Sequence, residues 1–254
     1  MTTYGEAVPA LTIALLCMSL QAGERAAELV YGKEGATFKT PQGLRYAVGM
    51  PLGAEKDKTK KWPMIIQLHG SGGITNDPPA PWIQPGFIMV TPRLSPNQGR
   101  GWSAPMLETM FSEVVAKYPV DPDRVYVMGH SMGGFGTYAW VTAHPQRFAA
   151  AAPICGGGNP SQAERIKDIP LWVFHGLKDD AVPVQKSYDM VEALRKLGGR
   201  VRFTLYTNGG HNVWSTAYDG TELYDWFLKQ VRGRPELPKA TTTGHKPDDE
   251  RLVK

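Results

Sequence analysis

The sequence predicts an α/β fold, a mostly parallel central sheet covered by helices on both faces. Three observations carry that prediction. Short, nearly unbroken apolar runs recur along the chain, as strands buried on both faces must read. These runs alternate with segments of helical spacing, and such alternation builds a parallel sheet. One strand-to-helix junction is the glycine-flanked turn Gly129-His130-Ser131-Met132-Gly133.

The elements follow in order. Gly43 to Pro51 alternates apolar and polar residues, as a half-exposed edge strand would. Trp62 to Leu68 is a buried strand ending in His69-Gly70-Ser71-Gly72-Gly73, and Gly86 to Val90 is a second, ending in Thr91-Pro92-Arg93. A Pro/Gly/Ser-rich loop carries Trp102. Ala104 to Tyr118 has helical spacing in Met106, Leu107, Met110, Val114 and Val115. Val125 to Met128 is the strand before the glycine-flanked turn, and a helix runs on toward His144-Pro145. Phe148 to Ile154, Leu171 to His175 and Val201 to Tyr206 are further strands. Val184 to Leu197 is an amphipathic helix closed by Gly198-Gly199, and Thr221 to Val231 is the last helix. About sixteen residues separate Ile154 from Leu171, too few for a helical lid, so an open cleft is expected.

At 254 residues the chain suits one domain with a sizeable core. A formal charge of +4 is mild, and the lysines of Lys56 to Lys61 read as a solvated loop, so no nucleic-acid partner is indicated. Val8 to Leu20 is an apolar run too short to span a bilayer, followed by small residues at Ala22-Gly23 and Ala26-Ala27. That is the outline of a secretory signal peptide, although Met1 to Ala7 carries Glu6 and no Lys or Arg. The expected organisation is therefore a signal peptide over 1–28, a catalytic domain over 29–232 and a disordered tail over 233–254. A secreted or periplasmic location follows, without stable membrane insertion. Cys17 would leave with the signal, and Cys155 reads as a buried thiol at a strand end.

A G-x-S-x-G between strand and helix is a nucleophile elbow. It sets Ser131 at the tip of a strained turn and aims a helix N-terminus at the reacting centre. Such a serine needs a base to take its proton and a carboxylate to hold that base's tautomer. Of six histidines, His69 and His175 end strands as His-Gly and suit structural hydrogen bonding. His130 abuts the nucleophile with its side chain turned away, His144 caps a helix, and His245 lies in the tail. His211 remains, in a glycine-flanked loop between a strand and the final helix, where an imidazole can reach the sheet's carboxyl edge. Asp179 and Asp180 both follow a strand and precede a helix, and spacing does not separate them. Two backbone donors must hold the oxyanion, one from Met132 and one from the 69–73 turn, at Ser71. Trp102 and Trp214, in loops at the strand ends, are candidate substrate contacts. No metal or organic cofactor is implied.

The segments LHGSGG (68–73), YPVDPDRVYVMGHSMGGFGTYAWVTAHPQRFAAAAPICGGG (118–158), IPLWVFHGLKDDAVPV (169–184) and GGHNVWSTAY (209–218) resemble the bacterial α/β-hydrolase family of predicted peptidases and phospholipase/carboxylesterase-like proteins. Its relatives include feruloyl- and acetyl-ester hydrolases and the catalytic domain of prolyl oligopeptidases. The resemblance runs roughly from Leu44 to Leu228. It implies the α/β-hydrolase fold without a lid domain, and it places the acid at the Asp of HGxxDxxVP, Asp179. It departs from the family pattern at Asp180, which stands where a proline is usual. The function implied is serine carboxylesterase action on small-molecule or polysaccharide-linked esters, acetyl or feruloyl. The rival expectations are a prolyl-oligopeptidase-type serine peptidase and a hydrolase-fold binding protein without turnover.

Overall fold

A computed structural model describes residues 36–77, 84–234 and 250–253. The proposed signal peptide, Cys17 and His245 lie outside these residues. Nine strands among them form one sheet: β1 (Ala36–Lys39), β2 (Arg45–Gly49), β3 (Trp62–Leu68), β4 (Ile88–Arg93), β5 (Val120–His130), β6 (Ala150–Ile154), β7 (Leu171–Gly176), β8 (Val201–Tyr206) and β9 (Glu250–Val253). Their spatial order is β1-β2-β4-β3-β5-β6-β7-β8-β9. β2 pairs antiparallel with both β1 and β4, and every other pairing is parallel.

Among the described residues five α-helices flank the sheet: α1 (Ala104–Lys117), α2 (Met132–Ala143), α3 (Gln185–Lys196), α4 (Trp214–Asp219) and α5 (Thr221–Leu228). In α1 the buried residues Leu107, Met110, Phe111 and Val114 recur at the spacing of one helical face. Ser103 caps that helix by accepting the Met106 N–H. The period of two in the strands sorts the core into two layers. Met64, Ile66, Val125 and Val127 face α1, α2 and α3. Ile65, Tyr126 and Met128 face Leu223, Tyr224 and Phe227 of α5. Burying each such side chain contributes about 1.5–3 kcal/mol relative to exposure.

Three expectations need correction. The stretch from Gly43 to Pro51 is not an edge strand, because β1 pairs outside β2 and leaves Tyr46, Ala47 and Val48 buried. β4 continues through Pro92 to Arg93. Its parallel partner β3 pairs only as far as Val90, so the missing proline N–H breaks no bond on that side. The tail is not wholly irregular: Glu250–Val253 adds to β8 in parallel, from Phe203↔Glu250 to Tyr206↔Val253. An exposed ladder edge on β8 draws a further strand, whatever the polarity of the chain leading to it. Residues 155–170, between β6 and β7, hold one 3-10 turn, Pro160–Arg165, and no lid.

The parallel strands all end at one rim. There β3 runs into the 69–73 turn, β5 into Ser131, β6 into Cys155, β7 into the Asp179 loop and β8 into the His211 loop. Ligands of open α/β sheets bind at that rim.

Candidate active site

Ser131 joins β5 to α2 with φ 54° and ψ −122°, a conformation L-residues rarely adopt. The neighbours explain how it is held. A Cβ at Gly129 would stand 2.5 Å from the Gly133 carbonyl oxygen, and one at Gly133 would stand 2.0 Å from the Leu68 carbonyl oxygen. Both glycines of the G-x-S-x-G are therefore sterically required, and the second locks the elbow against the end of β3. The Ser131 N–H continues the sheet by donating to the Ile154 carbonyl at 2.9 Å.

Three side chains converge on this turn. His211 Nε2 lies 2.9 Å from Ser131 Oγ, and its Nδ1 lies 2.7 Å from Asp179 Oδ2. The loops carrying them are built together: Lys178 N–H donates to the Gly209 carbonyl, and only a glycine at 176 admits the carbonyls of Gly209 and Gly210. Asp180, the alternative acid, is exposed, while the Asp179 side chain is fully buried.

The buried carboxylate is well supplied with donors. Its Oδ1 accepts the Ala181 and Val182 N–H groups at 2.9 and 2.8 Å. Its Oδ2 accepts from His211, and His175 Nε2 stands 3.2 Å away. Burial pushes the Asp179 pKa up, but the His211, Val182 and Ala181 hydrogen bonds outweigh it and hold the acid below its ordinary range. His175 itself is completely buried, donating from Nε2 to the Val182 carbonyl at 2.9 Å with Ser187 Oγ 2.7 Å from Nδ1. The Cys155 thiol also donates to Asp179. Cys155, His175 and Asp179 bring potential ligand atoms within 4.8 Å of one another. Burial raises the thiol pKa well above its usual value, so the group carries a protonated thiol. That donor set suits the cradle of a carboxylate better than a metal site.

The two expected oxyanion donors flank Ser131. Met132 opens α2, so its N–H has no partner within the helix. Ser71 begins the 3-10 turn after β3, and Gly70 packs directly on the elbow, where a Cβ would stand 3.3 Å from Ser131 Cβ.

The tryptophans part company. Trp214 is partly exposed and meets the His211 ring edge-on at 5.2 Å, while stacking on His130 at 4.6 Å. Trp102, expected as a substrate contact, is 7 % exposed and donates its indole N–H to the His69 carbonyl at 3.0 Å. Its ring fills the space left by Gly136 of α2. It is a wedge between helix and turn rather than a surface for ligand, because the loop carrying it folds inward to bury the indole.

Residues 104–221, a span that includes Ser131, Asp179 and His211, match the dienelactone hydrolase family. That match covers somewhat under half of the chain, and the sheet and its strand-to-helix elbow are those of the α/β-hydrolase fold. A thermostable esterase of known structure is similar, with 31% identity, a TM-score of 0.71, and coverage of 80% of this chain and 64% of that one. A bifunctional acetylxylan esterase/xylanase of Neocallimastix patriciarum is 29% identical over 150 residues, 53% of this chain and 21% of its own length. Feruloyl esterase B of Neurospora crassa is 32% identical over 112 residues, 37% of this chain and 38% of its own. The chain thus spans well under half the length of these two curated relatives. The thermostable esterase, the acetylxylan esterase/xylanase and the feruloyl esterase all take their names from ester hydrolysis.

Proposed function

We propose that the protein is a serine carboxylesterase working through an acyl-enzyme. The observation that carries this reading is the unbroken hydrogen-bonded line from Ser131 Oγ through His211 to the buried Asp179 carboxylate, at 2.9 and 2.7 Å. Ser131 Oγ attacks the ester carbonyl as its proton passes to His211 Nε2, and Asp179 stabilises the imidazolium. The N–H groups of Met132 and Ser71 take the charge on the carbonyl oxygen. His211 returns the proton to the departing alcohol. Water, deprotonated by the same imidazole, then releases the acid and restores the serine.

The acetylxylan and feruloyl esterase relatives, together with the open rim and Trp214, favour acetyl or feruloyl esters of plant polysaccharide as substrates. An aromatic acyl group can stack on the partly exposed indole. The signal-like stretch at the N-terminus fits an enzyme that meets polymeric substrate outside the cytoplasm, with residues 29–232 as its catalytic domain.

The test is an ester panel (acetyl, butyryl, feruloyl and long-chain acyl groups) run on the full chain and on Ser131→Ala, with fluorophosphonate labelling of both. We expect hydrolysis and labelling in the first and neither in the second. Wild-type turnover by Ser131→Ala removes the reading. Faster cleavage of proline-peptide amides than of matched esters replaces it with a peptidase.

A further inference from the structure

We propose, on the serine-esterase reading of this site, that His130 is a positioning residue that holds the oxyanion turn in register with Ser131. The Gly70 N–H donates to His130 Nε2 at 3.2 Å. Gly70 lies between the ring and the nucleophile: a Cβ there would come within 3.0 Å of the imidazole and 3.3 Å of Ser131 Cβ. Residue 130 therefore grips, from the elbow itself, the residue immediately before the second oxyanion donor.

The ring is fixed in turn. With Nε2 accepting, the neutral imidazole carries its proton on Nδ1, which faces Tyr218 Oη at 3.2 Å. The Tyr218 hydroxyl is also hydrogen-bonded to the Gln67 side chain on β3. Trp214 stacks on the ring at 4.6 Å with an interplanar angle of 23°. Burial, then the neighbouring charges of His69 and His211, push the His130 pKa down to about 4, so the acceptor lone pair is present at neutral pH.

The other side of the turn is held independently. The Gly70 carbonyl accepts from His69 Nδ1 at 2.6 Å and from the Gly73 N–H at 3.0 Å. In a trans peptide that carbonyl points opposite to the N–H of Ser71. The peptide bearing the donor is thus gripped at its carbonyl by His69, and its preceding N–H by His130. Hydrogen bonds aimed where charge develops serve the transition state more than the bound ester. Losing the His130 acceptor should therefore lower kcat and leave KM nearly unchanged.

The experiment compares wild type, His130→Phe, His130→Gln, Tyr218→Phe and Ser131→Ala. It measures kcat and KM on nitrophenyl acetate and Ki for a trifluoromethyl ketone, which forms a tetrahedral adduct on the serine. His130→Phe keeps a ring under Trp214 but has no acceptor. We expect its kcat to fall about 10–100-fold, short of the 10²–10³ typical of a donor removed outright. Its Ki should rise by a similar factor while KM stays within about twofold. His130→Gln restores an acceptor and should recover most of both. A folded His130→Phe with wild-type Ki overturns the proposal, as does a His130→Gln no better than His130→Phe. Should His130→Phe not fold, Tyr218→Phe carries the test, with a several-fold loss in kcat and Ki expected and wild-type values overturning it. Turnover surviving in Ser131→Ala overturns the serine reading itself, a result distinct from any of these.

Discussion

Gly133 sits so close to the end of β3 that a Cβ there would stand 2.0 Å from the carbonyl oxygen of Leu68. The elbow and the end of β3 with its 69–73 turn are thus joined by steric contact as well as by hydrogen bonds. Gly133→Ala must push α2 away from β3, displacing Ser131 from His211. Small backbone displacements at a reacting centre cost about 10²-fold in rate. We expect at least that loss in kcat, with a lower urea midpoint from the strained contact. An active, equally stable Gly133→Ala would show that the elbow is looser than this geometry.

The two adjacent aspartates separate cleanly. Asp179→Asn keeps the shape but replaces an acceptor with an amide, which favours the wrong tautomer of His211. Loss of about 10³–10⁴ in kcat is expected by analogy with triads of this kind. Asp180→Asn removes an exposed charge and should leave kcat within about twofold. Equal losses in both variants would mean that the acid is not held as described.

Three histidines, at positions 69, 130 and 175, are held below their ordinary pKa of 6.5, in each case chiefly by burial. Below that value the unfolded chain takes up protons that the folded protein refuses. Stability therefore falls as pH drops from about 6.5 toward the folded values, about 4 for His130. Each refused proton contributes about 1.4 kcal/mol per pH unit. The urea midpoint should be clearly lower at about pH 5 than at about pH 7, and His130→Phe should flatten the slope. A midpoint constant over that range contradicts the neutral, buried rings.

Trp102 and Trp214 should respond in opposite ways. Trp102→Ala empties a buried site and loses its hydrogen bond to His69, destabilising the fold by about 3–5 kcal/mol. Trp214→Ala should cost less stability and raise KM for feruloyl more than for acetyl esters. Steady-state kinetics on the two esters, beside thermal melts, checks both. A uniform KM for Trp214→Ala would remove the stacking role.

Much of the framework was legible because its signals are local. Trp62–Leu68 and Val201–Tyr206 have the predicted bounds, since an apolar run flanked by turn residues defines a buried strand without reference to anything distant. β1 and β9 escaped notice because they are four residues each, and their pairing depends on an edge that exists only once the sheet is built. Trp214–Asp219 is not legible as a helix because fewer than two turns carry too little periodicity to register. At the site, the glycine-flanked serine and the loop histidine announce themselves through strain and spacing. The direction of the His130 ring gave no such sign, and the neighbour it grips lies sixty residues earlier in the chain.

The sequence by itself determined the alternation of strand and helix, the strained serine between two obligatory glycines, and the candidates for base and acid. Those depend on steric limits and periodicities carried by a few adjacent residues. Only the tertiary structure buried the Asp179 side chain, the acid that the family resemblance implies, while leaving Asp180 exposed, turned Trp102 into the interior and aimed His130 at Gly70. Each of those outcomes depends on what stands within about 3 Å across the sheet's rim, and that proximity arises from packing strands far apart in the chain side by side.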